Sequence, residues 1–345
     1  MRKFLLKVFI FAAYAFILQI VFPLAVDPLN VFHALNIRRN GIEPNQNYVK
    51  MKYVLSNPDK FDSFVFGSSR VGAIHVEKMP GSKTYNMTYS MGIPNEHLAN
   101  IKTFLANNIR LKRVYIGIDA ISYTERSFDH TLQPHRCPYE YLYNNPKYFY
   151  SLYLNPLDTF NSLWVRLSKP FNFEPEIFYS FGWWAKYGNP SRFDWSKIIY
   201  KQNNRTFDHK IIERVIFSLA DIKKLCNENE IELIFFTNPM YCLTHMKAID
   251  EDYLFFLEEV AKISDFYNFS GLNDITNNRE NYLDDSHYNA YIGDMIIDVI
   301  CYGKAYPELY KQGFGVKVTQ ENISDLIALL RQQEEDFRQN KSPAM

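Results

Sequence analysis

Cysteine is scarce and unpatterned in this chain. Cys137, Cys226, Cys242 and Cys301 form no CxxC pair and no zinc-ligand spacing, so neither a metal knuckle nor a disulfide framework is indicated. Excess charge is lacking too. Lys and Arg total 38 against 38 for Asp and Glu, which leaves no global field to draw the chain to nucleic acid or to an anionic membrane surface. No P-loop and no Rossmann glycine fingerprint is present, so no nucleotide site is expected. Repeats and low-complexity tracts are absent. Charged residues make up only 22% and hydrophobic ones 47%, which excludes a mostly disordered chain. Its 345 residues suffice for one large domain or two ordinary ones. What the chain does hold in excess is rings, at 17% aromatic.

The first long feature is apolar. Arg2, Lys3 and Lys7 precede a run from Val8 to Val26, about 19 residues broken only by Gln19 and Pro23, and no cation follows until Arg38. That length suits a helix crossing a hydrocarbon core of ~30 Å. The charge asymmetry keeps residues 1–7 in the cytoplasm and sends the rest out of it. The run is long for a cleaved signal peptide and no small-x-small site precedes Asp27-Pro28, so an uncleaved signal anchor over 8–26 is expected. A plain secreted esterase would require that segment to be removed.

Beyond a lead-in over 27–60, strand and helix patterns alternate. Phe64-Val65-Phe66, Thr84 to Met87, Arg113 to Ile118, Ile231 to Phe236 and Phe266 to Phe269 read as short buried strands. His97 to Asn107, Ile211 to Leu225, Tyr253 to Ile263 and Tyr291 to Ile300 carry helical spacing. Short apolar strands separated by helices call for a mainly parallel sheet covered on both faces, a three-layer α/β/α fold over 61–124 and 205–303. Residues 304–345 are expected to be a helical extension with a frayed tail. Between 125 and 204 the rhythm gives way to rings, among them Tyr139, Tyr153, Phe160, Trp164, Trp183, Trp184 and Trp195. This stretch leaves the sheet after Ile118-Asp119, at the carboxyl edge where open α/β sheets hold ligands, and reads as an inserted cap. Its rings either pack a small subdomain or meet sugar faces and headgroups.

Two short motifs carry chemistry. Gly67-Ser68-Ser69 ends the first strand, where a serine is lifted from the sheet edge beside backbone N–H groups able to meet an oxyanion. Asp284-Asp285-Ser286-His287 precedes the last helix of the sheet domain. A carboxylate three residues from an imidazole fixes its tautomer and stabilises its charged form. Alone, each motif also fits an ordinary turn or an acidic loop. His130, His135 and Cys137 match no ordinary zinc spacing, and no metal or cofactor is called for.

Together, and in this order, the motifs resemble the SGNH (GDSL-like) hydrolase superfamily, whose first block is Gly-Asp-Ser and whose last is Asp-x-x-His. The resemblance implies a flavodoxin-like topology over roughly 61–303. It makes Ser69 the nucleophile, His287 the base and Asp284 its partner. Tyr85 to Gly92 resembles the second block, whose turn amides near Ser90 and Gly92 would complete an oxyanion hole with the Ser69 N–H, with Asn86 on the strand before it. Gly117-Ile118-Asp119-Ala120 sits where Gly-x-Asn-Asp is expected. An ionised Asp119 accepts where the family's Asn donates, which argues against efficient hydrolysis unless another donor substitutes. Arg70 either clamps a substrate anion or pairs with an acid near a helix start.

With the anchor, the set looks most like the membrane-bound branch that includes the D-alanine transfer protein of teichoic-acid synthesis and the proteins of polysaccharide O-acylation. That implies an extracytoplasmic esterase or O-acyltransferase acting on a cell-envelope glycan or glycolipid, with no nucleic-acid partner. The alternative is a non-catalytic accessory that binds glycan or docks beside a membrane-bound O-acyltransferase.

Overall fold

A computed structural model describes residues 1–35, 44–168, 193–197, 209–248 and 251–340. Two units emerge, one of Met1–Asn57 with Ser127–Tyr179, the other of Pro58–Arg126 with Ser180–Met345.

The first unit begins with the apolar run as one helix, Arg2–Val26, whose most apolar 18-residue stretch has a mean hydropathy of 2.3 and is almost wholly unburied. It is long and apolar enough to cross a membrane. It stops at Asp27, whose backbone turns left-handed at φ 45°. The Asp27 carboxylate then accepts from the N–H groups of Val31 and His33 at 2.9 and 2.8 Å, fixing the exit turn. Asn45 caps the helix Gln46–Leu55 by accepting from the Tyr48 N–H at 2.9 Å. Its amide donates to the carbonyls of Pro134 and Cys137 at 2.9 and 2.8 Å. Leu29 and Val31 pack with Cys137, Leu142 and Tyr153. Within this unit the described lead-in residues, 27–35 and 44–57, and the first part of the inserted segment are thus built together. Of the aromatic cap expected over 125–204, residues 169–192 and 198–204 lie outside the described residues. Its described part in this unit is helical, including Tyr139–Asn144 and Pro156–Ser168.

The second unit is built on six strands: β1 Ser63–Phe66, β2 Thr84–Asn86, β3 Arg113–Ile118, β4 Glu232–Thr237, β5 Phe266–Asn268 and β6 Val316–Val318. Their order is β2-β1-β3-β4-β5-β6, parallel except for β6, which pairs antiparallel with β5. Residues 316–318, expected in a helical extension, supply this sixth strand. Alternate side chains serve opposite faces. Val65, Tyr115 and Phe236 pack with Ile292, Met295, Ile296 and Val299 of the helix Ala290–Tyr302. Phe64 and Phe66 turn the other way, onto Phe104 of the helix Pro94–Ala106. The helix His209–Glu228 packs against Pro94–Ala106 and against Glu251–Ile263, which in turn meets Ile323–Asn340. Both faces are covered, which is why β1, β3 and β4 carry apolar runs such as Phe64-Val65-Phe66 rather than a strict alternation. Among the rings of 193–197, Trp195 joins this core and stands edge-on to Tyr241 at 5.1 Å. None of the four cysteines forms a disulfide.

Two histidines sit inside this unit. Burial pushes the imidazoles of His97 and His245 down to about 3, from an ordinary 6.5. The unfolded chain therefore binds protons on acidification that the folded chain refuses. Stability is fully present above about 6.5 and is lost as pH falls from there toward about 3. Each histidine contributes ~1.4 kcal/mol per pH unit across that window, so the pair removes roughly 2–3 kcal/mol between pH 6 and 5. Urea titrations in detergent at pH 6.5, 5.5 and 4.5 check this, and equal stability at all three contradicts it.

Candidate active site

Strand β1 grows a neighbour on each side, β2 on one and β3 on the other. The carboxyl ends of strands flanking such a reversal are where open α/β sheets leave a crevice. β1 ends there at Gly67, whose φ of +154° and close approach to Val71 and to the Gly117 carbonyl leave no room for a side chain. The backbone then enters a short 3-10 turn, Ser69–Ala73. This turn buries Ser68 and leaves Ser69 partly exposed.

The loop from Asp284 to His287 is wound around its own carboxylate. Asp284 Oδ1 accepts from the backbone N–H groups of Ser286 and His287, each at 2.8 Å. The Leu283 N–H donates to the His287 carbonyl at 2.8 Å and closes the loop. Both carboxylate oxygens then lie 2.9 Å from His287 Nδ1. Burial pushes the Asp284 carboxyl up, but hydrogen bonds from the His287 ring and the two backbone N–H groups outweigh it and hold the group below its ordinary value. With Nδ1 facing a carboxylate, the ring proton belongs on Nδ1 and Nε2 is left to accept. His287 Nε2 lies 2.8 Å from Ser69 Oγ. Hydroxyl, imidazole and carboxylate stand in hydrogen-bonded series, which equips the serine for nucleophilic attack with proton transfer to the ring.

Arg70 and Asp119 lie beneath this series rather than in the crevice, with side chains only 6% and 1% exposed. Arg70 Nη1 is 2.8 Å from Asp119 Oδ1 as an ion pair. Its Nε and Nη2 donate to the carbonyl and hydroxyl of Ser286, both at 3.2 Å. Asp119 further accepts from the Ile121 N–H at 2.8 Å, from Asn238 Nδ2 at 2.9 Å and from Ser68 Oγ at 3.3 Å. The Tyr288 hydroxyl donates to Asn238 Oδ1 at 3.2 Å. Thr244 Oγ1 donates to the Asp285 carbonyl. One polar network thus ties the ends of β1, β3 and β4 to the loop that carries His287.

Asn86 is also turned inward. It is fully buried, donating to the Val71 carbonyl at 3.0 Å and accepting from the Thr88 N–H at 2.9 Å. Thr88 Oγ1 donates to the Ser68 carbonyl at 2.5 Å, so the segment after β2 is sewn to the turn after β1. Met91 takes a left-handed φ of 59° to make that bend. A Cβ on Gly92 would lie 2.4 Å from the Gly67 carbonyl oxygen, so this backbone reaches the Gly67–Ser69 turn only because residue 92 has no side chain. The Gly92 N–H donates to the Tyr89 carbonyl at a long 3.3 Å, and Ser90 is partly exposed beside it.

Sequence reasoning missed Asn238, Ser286 and Tyr288 as members of this shell. Asn238 had a signal, since a polar residue at the carboxyl end of the strand beside β3 is placed to face the same crevice. Among the described residues no group of His, Cys, Asp and Glu is arranged to hold a metal ion. In comparisons of sequence and fold, no family model, curated protein or solved structure matches this chain.

Proposed function

We propose that this chain is a membrane-anchored serine enzyme of the SGNH type, cleaving or transferring an acyl ester on a cell-envelope glycan or glycolipid outside the cytoplasm. The observation that carries the reading is the 2.8 Å contact between Ser69 Oγ and His287 Nε2, backed by Asp284. Ser69 Oγ attacks the ester carbonyl while its proton passes to Nε2, and Asp284 stabilises the imidazolium. Collapse of the tetrahedral intermediate expels the alcohol, which takes the proton back from Nε2. Water or a sugar hydroxyl then attacks the acyl-serine with the same ring as base, releasing free acid or a new ester and regenerating Ser69. Backbone N–H groups at Ser69 and in the Ser90 to Gly92 turn are the candidates to meet the oxyanion. The order of β2-β1-β3-β4-β5 supports the flavodoxin-like topology that the resemblance implies. Arg70 answers the charge of Asp119, so that carboxylate is not an unopposed anion beneath the intermediate. Anchorage draws on the helix Arg2–Val26, and the outward placement draws on Arg2, Lys3 and Lys7 ahead of it.

A second reading, the accessory that binds glycan or docks beside a membrane-bound O-acyltransferase, is favoured by one observation. Asp119 supplies no donor where the resemblance calls for one. Labelling by a fluorophosphonate separates the two. The intact protein is expected to label at one serine, and Ser69→Ala to lose the label. Absence of labelling on the wild type overturns the enzymatic reading and leaves the accessory one.

A further inference from the structure

The helix Pro156–Ser168 in the first unit is amphipathic in the sense opposite to a water-soluble helix. Thr159 and Ser162 face inward and are 0% and 1% exposed. Leu157, Phe160, Trp164 and Leu167 are 76%, 53%, 70% and 82% exposed. Steps of three and four residues place these four on a single stripe. The helix lies against the end of the apolar helix Arg2–Val26, where Phe160, at the edge of the stripe, brings its ring to 4.8 Å from that of Phe22. Thr159 donates its hydroxyl proton to the Asn155 carbonyl at 2.9 Å, so that buried group is satisfied. Gln19, the one amide side chain in the apolar helix, donates to the Leu154 carbonyl at 3.2 Å just ahead of Pro156.

In water this arrangement loses twice, since hydroxyls are desolvated while large apolar side chains are wetted. In lipid both penalties vanish. Small polar residues between helices and apolar residues outward is how helices pack within a bilayer. The depth agrees. Gln19 lies seven residues before Val26, or about 10 Å along the helix axis. That pins the start of Pro156–Ser168 inside the apolar zone, near the ~5–10 Å depth of interfacial helices. Trp164 suits the same level.

We propose that Pro156–Ser168 is a second membrane element, lying in the interface with Leu157, Phe160, Trp164 and Leu167 in the acyl chains of the leaflet where the anchor emerges. The proposal rests on reading Arg2–Val26 as a membrane anchor. The test uses the full chain in phosphatidylcholine vesicles whose acyl chains are brominated, and reads tryptophan quenching against unbrominated vesicles. One variant carries Trp183→Phe, Trp184→Phe and Trp195→Phe, leaving Trp164 as the sole emitter. A second adds Trp164→Phe and Phe11→Trp, placing the emitter in the anchor. Both are expected to lose about half of their emission or more, as emitters within the acyl region do. Quenching at position 11 with none at 164 overturns the proposal and leaves the anchor standing, the stripe then being covered by a second protein surface. Quenching at neither position sinks the anchor reading and this proposal with it. Should the triple variant misfold, a dye on Leu157→Cys, in a chain with Cys301→Ser, reads the same quench with the native tryptophans in place.

Discussion

Ser69→Ala is expected to lower turnover of an activated ester such as a p-nitrophenyl ester by about four to six orders of magnitude, with His287→Ala close behind. In the proposed mechanism the two groups act as one device. Without Oγ there is no nucleophile to receive the acyl group, and without Nε2 the serine proton has no acceptor at 2.8 Å. The double variant should therefore be no slower than Ser69→Ala alone. Asp284→Asn is expected to cost about 10³–10⁴ in kcat. Its amide oxygen can still accept from the N–H groups of Ser286 and His287, so the loop should hold, but its NH₂ would face Nδ1 and favour the wrong tautomer. Steady-state rates with thermal melts on the same samples check the series. A loss that is additive in the double variant, or an Asp284→Asn chain that keeps full rate, would contradict the triad.

Arg70→Met is expected to have the largest effect on stability, about 3–5 kcal/mol, because it strands the buried carboxylate of Asp119 without its cation. Removing both charges in Arg70→Met/Asp119→Leu should recover much of that loss, since a buried ion pair adds little over well-packed apolar groups. The rate should not recover with it. Arg70 also holds the Ser286 carbonyl and hydroxyl, one residue before His287, and no apolar side chain replaces those bonds. Under the proposed mechanism Arg70 is a positioning residue, and its loss is expected to lower kcat more than it raises KM. Arg70→Lys, which keeps the charge but not the fork, should fall between in both readouts. Urea melts and a KM-against-kcat split measure the two effects separately. Full rescue of rate in the double variant would show that Arg70 acts through fold alone.

Much of the sheet was legible in the sequence because its central strands β1 and β3 are almost wholly buried, so that apolar runs such as Phe64 to Phe66 mark them directly. Strand β6 was not. Val316-Lys317-Val318 is an edge strand with a lysine at its centre, the kind of segment that hides its pairing by design against unwanted partners. The hydrogen-bonded series of Ser69, His287 and Asp284 was legible as two motifs because each is local: a glycine turn after a strand, and a carboxylate three residues from an imidazole. The inward roles of Arg70 and Asp119 were not. Arg70 meets Ser286 across 216 residues, and no local pattern says whether its fork faces a substrate or the underside of a loop. The same holds for the first unit, where Asn45 finds its carbonyl partners 89 and 92 residues downstream.

The span of 218 residues between Ser69 and His287 has a consequence during biosynthesis. At ~5–20 residues per second, a ribosome delivers His287 roughly 10–40 seconds after Ser69. Throughout that interval the emerging serine has no imidazole beside it. Hydroxyl and ring can meet only after nearly all of the sheet unit has been made, so the pairing is a late event in the life of the nascent polypeptide.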